Sequence, residues 1–190
     1  MKVEIKNVNE RISLKSLPRN VWAVGFTSFF MDISSEMVLN ILPLFLANVL
    51  GVETSIIGLI DGVAEATASI LKQFSGWLSD KLGGRKWLAV VGYAFSAFSK
   101  PFFYFANSWG LVAGVRWADR VGKGIRTAPR DALVADSTTP KTRWLAFGFN
   151  CAMDKAGAFL GLRLAALVVW LTQSPPRTLT MTSFRTIVLV

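Results

Sequence analysis

WGLVAGVRWADRVGKGIRTAPRDALVAD, residues 109–136, is the stretch on which the fold turns. It carries Arg116, Asp119, Arg120, Lys123, Arg126, Arg130, Asp131 and Asp136, too much charge for hydropathy alone to place it in a membrane. Its surroundings are different. The chain of 190 residues is 52% hydrophobic and 17% charged, with fourteen Phe, seven Trp and a mean hydropathy of +0.44. A soluble domain carries about 25% charged residues, and its apolar residues rarely gather into long runs. The composition therefore indicates a membrane protein.

A bilayer-spanning helix needs about 20 mostly apolar residues. Spans are predicted at about 21–50, 55–78, 87–107 and 144–171, leaving 109–136 open. Charge parity decides it. The tail 1–20 carries Lys2, Lys6, Arg11, Lys15 and Arg19 and is expected in the cytoplasm, as is the Lys81, Arg85, Lys86 loop after the second span. The opposite turns near Glu53 and Ser108 carry no Lys or Arg. If 109–136 did not cross, its own bases and Lys141 and Arg143 would all lie outside; if it crosses, only Arg177 does. Crossing is the consistent choice. Trp22, Trp77, Trp87, Trp109, Trp144 and Trp170 fall at the ends of these spans, where amphipathic rings prefer to sit, and only Trp117 falls inside one.

Several classes drop out. The net charge of +9 is scattered between apolar runs, which argues against a nucleic-acid partner. Cys151 is the single cysteine and histidine is absent, so no intrachain disulfide forms and proton chemistry falls to carboxylates. Gly122-Lys123-Gly124 lacks the spacing of a nucleotide loop. No enzyme activity, cofactor or metal is expected. The first twenty residues do not read as a cleavable signal, because the apolar run that follows is too long. Ile5, Val8 and Ile12 would share one face of a short amphipathic helix. Residues 173–190 read as an outer loop ending in Ile187-Val188-Leu189-Val190, the start of a sixth span.

Charge inside a bilayer is costly, roughly 2.5–3.5 kcal/mol per group at mid-depth, so each such group must face protein or water. Ser28, Asp32, Glu36 and Asn40 recur every four residues and form one stripe on the first span. Asp61, Glu65 and Lys72 share a face of the second, and Lys100 stands beside the helix-weakening Pro101 in the third. On the fourth, Arg116, Arg120, Lys123 and Arg130 share a face with Asp119 and Arg126 flanking; the fifth carries Asn150, Asp154 and Lys155. These groups are either a structural ion-pair network or the wall of a polar path. Gly58–Gly62 and Gly157–Gly161 have the spacing of helix-packing pairs.

Gly76-Trp77-Leu78-Ser79-Asp80-Lys81-Leu82-Gly83-Gly84-Arg85-Lys86 resembles the signature loop of the major facilitator superfamily, roughly G-x-L-x-D-[RK]-x-G-R-[RK]. Gly84 stands where Arg is usual, which shifts or removes one basic contact. Arg116 in Arg116-Trp117-Ala118-Asp119 resembles that family's fourth-helix arginine motif, although Asp119 and Arg120 replace the usual Gln and Gly. Asp119 to Asp131 looks like a subgroup of little-characterised prokaryotic permeases. Gly157 to Ala166 loosely resembles an antiporter motif, with Leu162 in place of Pro.

The resemblance implies an all-α membrane protein, the N-terminal bundle of such a transporter, with five full transmembrane helices over 21–172 and the start of a sixth. It implies a secondary carrier of a small molecule or ion in the plasma membrane, proton-coupled, with an efflux permease as one form it can take, and completed by a second six-helix half in the same or another chain. Glu36, Asp32 and Arg116 are then the candidate proton-coupling residues. Asn40, Asp61, Glu65, Arg120, Lys123 and Arg130 are the candidate cavity-lining residues. Gly76, Asp80, Lys81, Gly83, Arg85 and Lys86 would form a conformational latch. The alternative is a truncated or half-transporter fragment with no transport of its own.

Overall fold

The computed structural model describes residues 13–172 and 179–189. Lys2, Lys6, Arg11, the Ile5–Val8–Ile12 face and Arg177 lie outside the described residues. A short 3-10 turn, Leu14–Ser16, leads into α1 (Arg19–Leu39), α2 (Leu42–Asn48), α3 (Thr54–Leu82) and α4 (Arg85–Ser99). A 3-10 segment (Lys100–Phe105) follows, then α5 (Trp109–Asp136), α6 (Arg143–Thr172) and α7 (Met181–Leu189). No strand occurs among the described residues.

The helix boundaries follow local chemistry. The predicted first span is not one helix: α1 stops at Leu39, Asn40 and Ile41 turn, and Pro43 enters in the first turn of α2. A proline ring clashes with the carbonyl four residues back, here that of Leu39, and is tolerated only where a helix starts. α3 runs farther than the predicted 55–78, to Leu82, so Asp80 and Lys81 sit in its last turn. Gly83 ends it in the left-handed region, at φ 61°, which is cheap for glycine alone. α4 gives way to the 3-10 segment just before Pro101, as its missing N–H demands. α5 is an unbroken helix with the predicted bounds, and Ser108 Oγ caps it by accepting from Leu111 N at 3.4 Å. At ~1.5 Å per residue it reaches about 42 Å. α7 starts at Met181, ahead of the apolar run in which the sequence places the sixth span.

Three helix pairs make the bundle: α1 with α6, α4 with α5, and α3 with α5. α6 lies almost in backbone contact with α1, since a Cβ on Gly157 would stand 2.5 Å from Phe29 O and one on Gly161 2.5 Å from Ile33 O. Gly122 and Gly124 bring α5 as close to α4 and α3, with Gly92 O and Ala68 O each 2.8 Å from the added carbon. The Gly58–Gly62 pair does otherwise. No atom lies within 4 Å of a Cβ on either residue, so the packing role expected from their spacing is not realised within this chain.

Apolar packing concentrates where α2, the 3-10 segment and α7 meet. Phe184 of α7 stacks on Phe45 with ring centroids 3.9 Å apart and meets Phe103 edge-on at 6.5 Å. A smaller cluster of Leu17, Val21, Val134 and Ala146 closes the opposite end. Outside the bundle, Phe30, Ile70, Phe98, Trp87, Trp144 and Trp170 are exposed. Large apolar side chains facing outward all round a helical bundle fit lipid as the solvent. By length and composition, three helical segments are able to cross a membrane: Arg19–Asn48, Thr54–Leu82 and Arg143–Thr172.

Candidate functional site

The polar groups gather along α5. Asp61 and Glu65, one turn apart on α3, face Arg116 and Arg120, one turn apart on α5. Arg116 Nε meets Asp61 Oδ1 at 3.0 Å, its Nη2 meets Glu65 Oε1 at 3.6 Å, and Arg120 Nε meets the same Glu65 oxygen at 2.9 Å. Lower on α5, Arg130 reaches three elements. It donates to Ser28 Oγ on α1 at 3.2 Å, pairs with Asp154 on α6 at 3.3 Å, and is held by Asp131 on its own helix at 3.0 Å.

Behind these pairs lies a more buried layer. Ser28 Oγ and the Tyr93 hydroxyl are hydrogen-bonded at 2.7 Å. The Arg126 guanidinium stands over the Tyr93 ring, 4.7 Å from its centroid, a cation–π contact. Ser96 donates to the Asp119 carboxylate. Lys100 Nζ donates to Met31 O at 3.1 Å rather than to an acid.

The two α1 acids differ from the rest: among the described residues Asp32 and Glu36 have no cation within ion-pair distance. Glu36 Oε2 accepts from Asn40 Nδ2 at 2.6 Å, and the same amide bonds the Glu36 carbonyl at 3.0 Å. Both carboxylates start from the α1 face packed against α6, their Cβ atoms standing 3.2 Å from where Gly157 and Gly161 would carry one.

Several expectations need correcting. Arg116 turns to the α3 acids, not to the α1 stripe with which it was grouped. Lys123, which the spacing puts on one face with Arg116, Arg120 and Arg130, is exposed, whereas Arg126, expected to flank them, is buried along with Arg116 and Arg120. The reason is helix phase. Asp119, Gly122, Arg126 and Pro129, spaced three and four apart, continue the buried face on which Arg116 and Arg120 also lie. Asn40 is exposed. Asp119, Tyr93, Arg126 and Asp154 were missed as site residues; glycines at positions 122 and 124 were the available signal for a close-packed seam beside Arg126.

A second constellation joins α3, α4 and α5 at the Gly83–Gly84 turn. Arg85 Nη2 bonds Asp80 Oδ1 at 3.0 Å, and Arg85 Nη1 pairs with Asp136 at the end of α5. Arg85 thus makes the contact that Gly84 cannot. Its hydrogen bond to Asp136 holds the guanidinium above the ordinary arginine range, with Asp80 adding to the effect. Lys81 Nζ lies over the Trp77 ring at 5.1 Å, Lys86 is exposed, and Gly76 passes Ala128, whose Cβ would be 3.3 Å from an added Cβ. Asp136 lies outside the signature loop, which is why the sequence did not single it out.

The chain resembles several curated proteins. It is 42% identical over 163 residues to an uncharacterised MFS-type transporter of Methanocaldococcus jannaschii, covering 86% of this chain and 39% of that protein. An uncharacterised protein of Mycobacterium tuberculosis is 29% identical over 144 residues, 75% of this chain and 35% of its own length. An uncharacterised MFS-type transporter of Bacillus subtilis is 24% identical over 140 residues, 74% of this chain and 34% of its own length. The chain therefore spans well under half the length of these relatives. The family model of the Major Facilitator Superfamily matches residues 24–183, nearly the whole of the described bundle, and the chain belongs to that family.

Proposed function

We propose that the chain supplies one half of a secondary carrier that moves a small solute across a membrane, with Glu36 and then Asp32 as the proton carriers. The observation that carries this reading is the contrast along α1 and α5. The α3 acids are tied to arginine, while Asp32 and Glu36, on the α1 face packed against α6, make no ion pair among the described residues. A carboxylate free of a salt bridge exchanges its proton without breaking one. Asn40, Asp61, Glu65, Arg120, Lys123 and Arg130 then belong to the cavity wall, and Arg116 sets the position of α5 against α3 during coupling. Gly76, Asp80, Lys81, Gly83, Arg85 and Lys86 act as the latch between conformations.

In this arrangement residues 87–107 and α5 cross the membrane along with the three apolar segments, making five crossings. The N-terminus lies in the cytoplasm of a plasma-membrane protein, and efflux is one direction the carrier could serve. Alternating access needs a second bundle to rock against the first, so a six-helix half, in the same or another chain, completes the site. A second reading has its own motive in the 39% share of the archaeal relative that the chain matches: these residues alone transport nothing.

Proteoliposomes with a trapped pH dye test both. The expected result is a pH change on adding a transported solute, abolished in Glu36→Gln while solute counterflow persists. An undiminished pH signal in Glu36→Gln removes Glu36 as the carrier. A signal seen only when the second half of the archaeal relative is co-expressed supports the fragment reading.

A further inference from the structure

We infer that Arg126 is the docking point for an anionic group, a carboxylate or phosphate oxyanion, on the solute; this rests on the carrier reading above. Four arginines line α5. Arg116, Arg120 and Arg130 each have a carboxylate within 3.6 Å. Arg126 has none among the described residues, although it is only 5% exposed. Its Nη1 is buried without a hydrogen-bond partner, and its guanidinium lies over the face of Tyr93. Asp119 and Asp32 act on it only from beyond ion-pair distance, and Asp119 is already occupied by Ser96.

A buried guanidinium offers five donors in a planar fork and is costly to leave unmatched. Stacking on an aromatic ring satisfies its face but not its N–H groups, which stay available in its plane. The fork matches two oxygens of a carboxylate or phosphate in a bidentate pair. Lys123, three residues earlier and exposed, adds a second positive charge on the approach. Tyr93 is fixed from behind by Ser28, so the ring that orients the guanidinium is itself held by α1. The acids of α3 and α6 are matched to arginine, and the carrier reading gives the two unpaired acids of α1, Asp32 and Glu36, to the proton.

The purified chain in nanodiscs, followed by thermal melting of its tryptophan fluorescence at constant ionic strength, tests this. The probes are inorganic phosphate, acetate and succinate against choline and glucose. At least one anionic probe is expected to raise the melting temperature in a saturable way, and choline and glucose to leave it unmoved. Arg126→Gln should weaken that anion by about ten- to a hundredfold, and Arg126→Lys should recover part of it.

If Arg126→Gln does not fold, phenylglyoxal labelling of the wild type replaces it. The anion should then slow modification of Arg126 and not of the exposed Arg163. An anion that stabilises Arg126→Gln as well as the wild type, or fails to protect Arg126, overturns the assignment. So does stabilisation by choline or glucose alone, or by none of the probes; either result leaves the carrier reading standing, since the proteoliposome pH signal tests that reading separately.

Discussion

Gly157→Ala should destabilise the bundle sharply, while the chemically identical Gly58→Ala should not. The added carbon at position 157 would stand 2.5 Å from Phe29 O, about 0.9 Å inside the 3.4 Å at which ordinary contact begins, with Phe29 C and Asp32 Cβ both at 3.2 Å. The obstruction is mostly backbone, so no rotamer change relieves it and α6 must lift off α1. Overpacking of this kind costs ~1–3 kcal/mol, and the tight seam puts Gly157 at the upper end. At Gly58 nothing lies within 4 Å, so alanine clashes with nothing in the chain and gains ~0.8–1 kcal/mol of helix propensity. The two variants should therefore differ by about 2–4 kcal/mol. Reversible unfolding in mixed micelles, read by tryptophan fluorescence, measures it. Equal stability of the two would mean that α1 and α6 do not approach as closely as described.

Phe184→Ala should cost ~3–5 kcal/mol, because Phe184 is fully buried between Phe45 and Phe103; proteolysis near residues 179–189 reports whether α7 is released. Ser96→Ala removes the hydroxyl that serves the buried Asp119 carboxylate, and a loss of ~1.5–3 kcal/mol is expected in the same unfolding assay. Arg85→Gln should raise hydrogen exchange in the last turn of α3 by freeing Asp80 and Asp136. In the wild type that protection should not fall at any workable alkaline pH, since a base held above its ordinary range keeps its contribution until it deprotonates; loss of protection in mild alkali would exclude Arg85 as the clamp.

Much of the helix order was legible because membrane segments announce themselves by length and by where charge and tryptophan fall. The bounds of α5 coincide with the charged stretch 109–136, and the weak point expected at Pro101 lies where α4 ends, although the span was expected to run on to about 107. What was not legible depended on phase and on partners. Pro43 sat inside an apolar run that hydropathy reads as continuous, so the break after Leu39 was hidden. A face of bases can be drawn through Arg116, Arg120 and Lys123, yet only the positions of Gly122, Gly124 and Pro129 reveal that the packed face takes in Asp119 and Arg126 and leaves Lys123 out. Asp136 and Asp154 became site residues through contacts made across the bundle, and spacing along one chain carries no such information.

The same geometry explains how so charged a helix can be the centre of an apolar bundle. A buried arginine is tolerable when a carboxylate and further hydrogen bonds meet it, and α5 arranges this for Arg116 and Arg120 through α3 and for Arg130 through α1 and α6. Each such pair also ties one neighbour to α5, so the charges that are costly to bury specify which helices assemble around it. Removing one acid would strand a buried cation and loosen a seam at once. That is the expectation for Asp61→Asn, which leaves Arg116 with only the longer contact to Glu65, and it makes α5 the element whose pairing decides the rest.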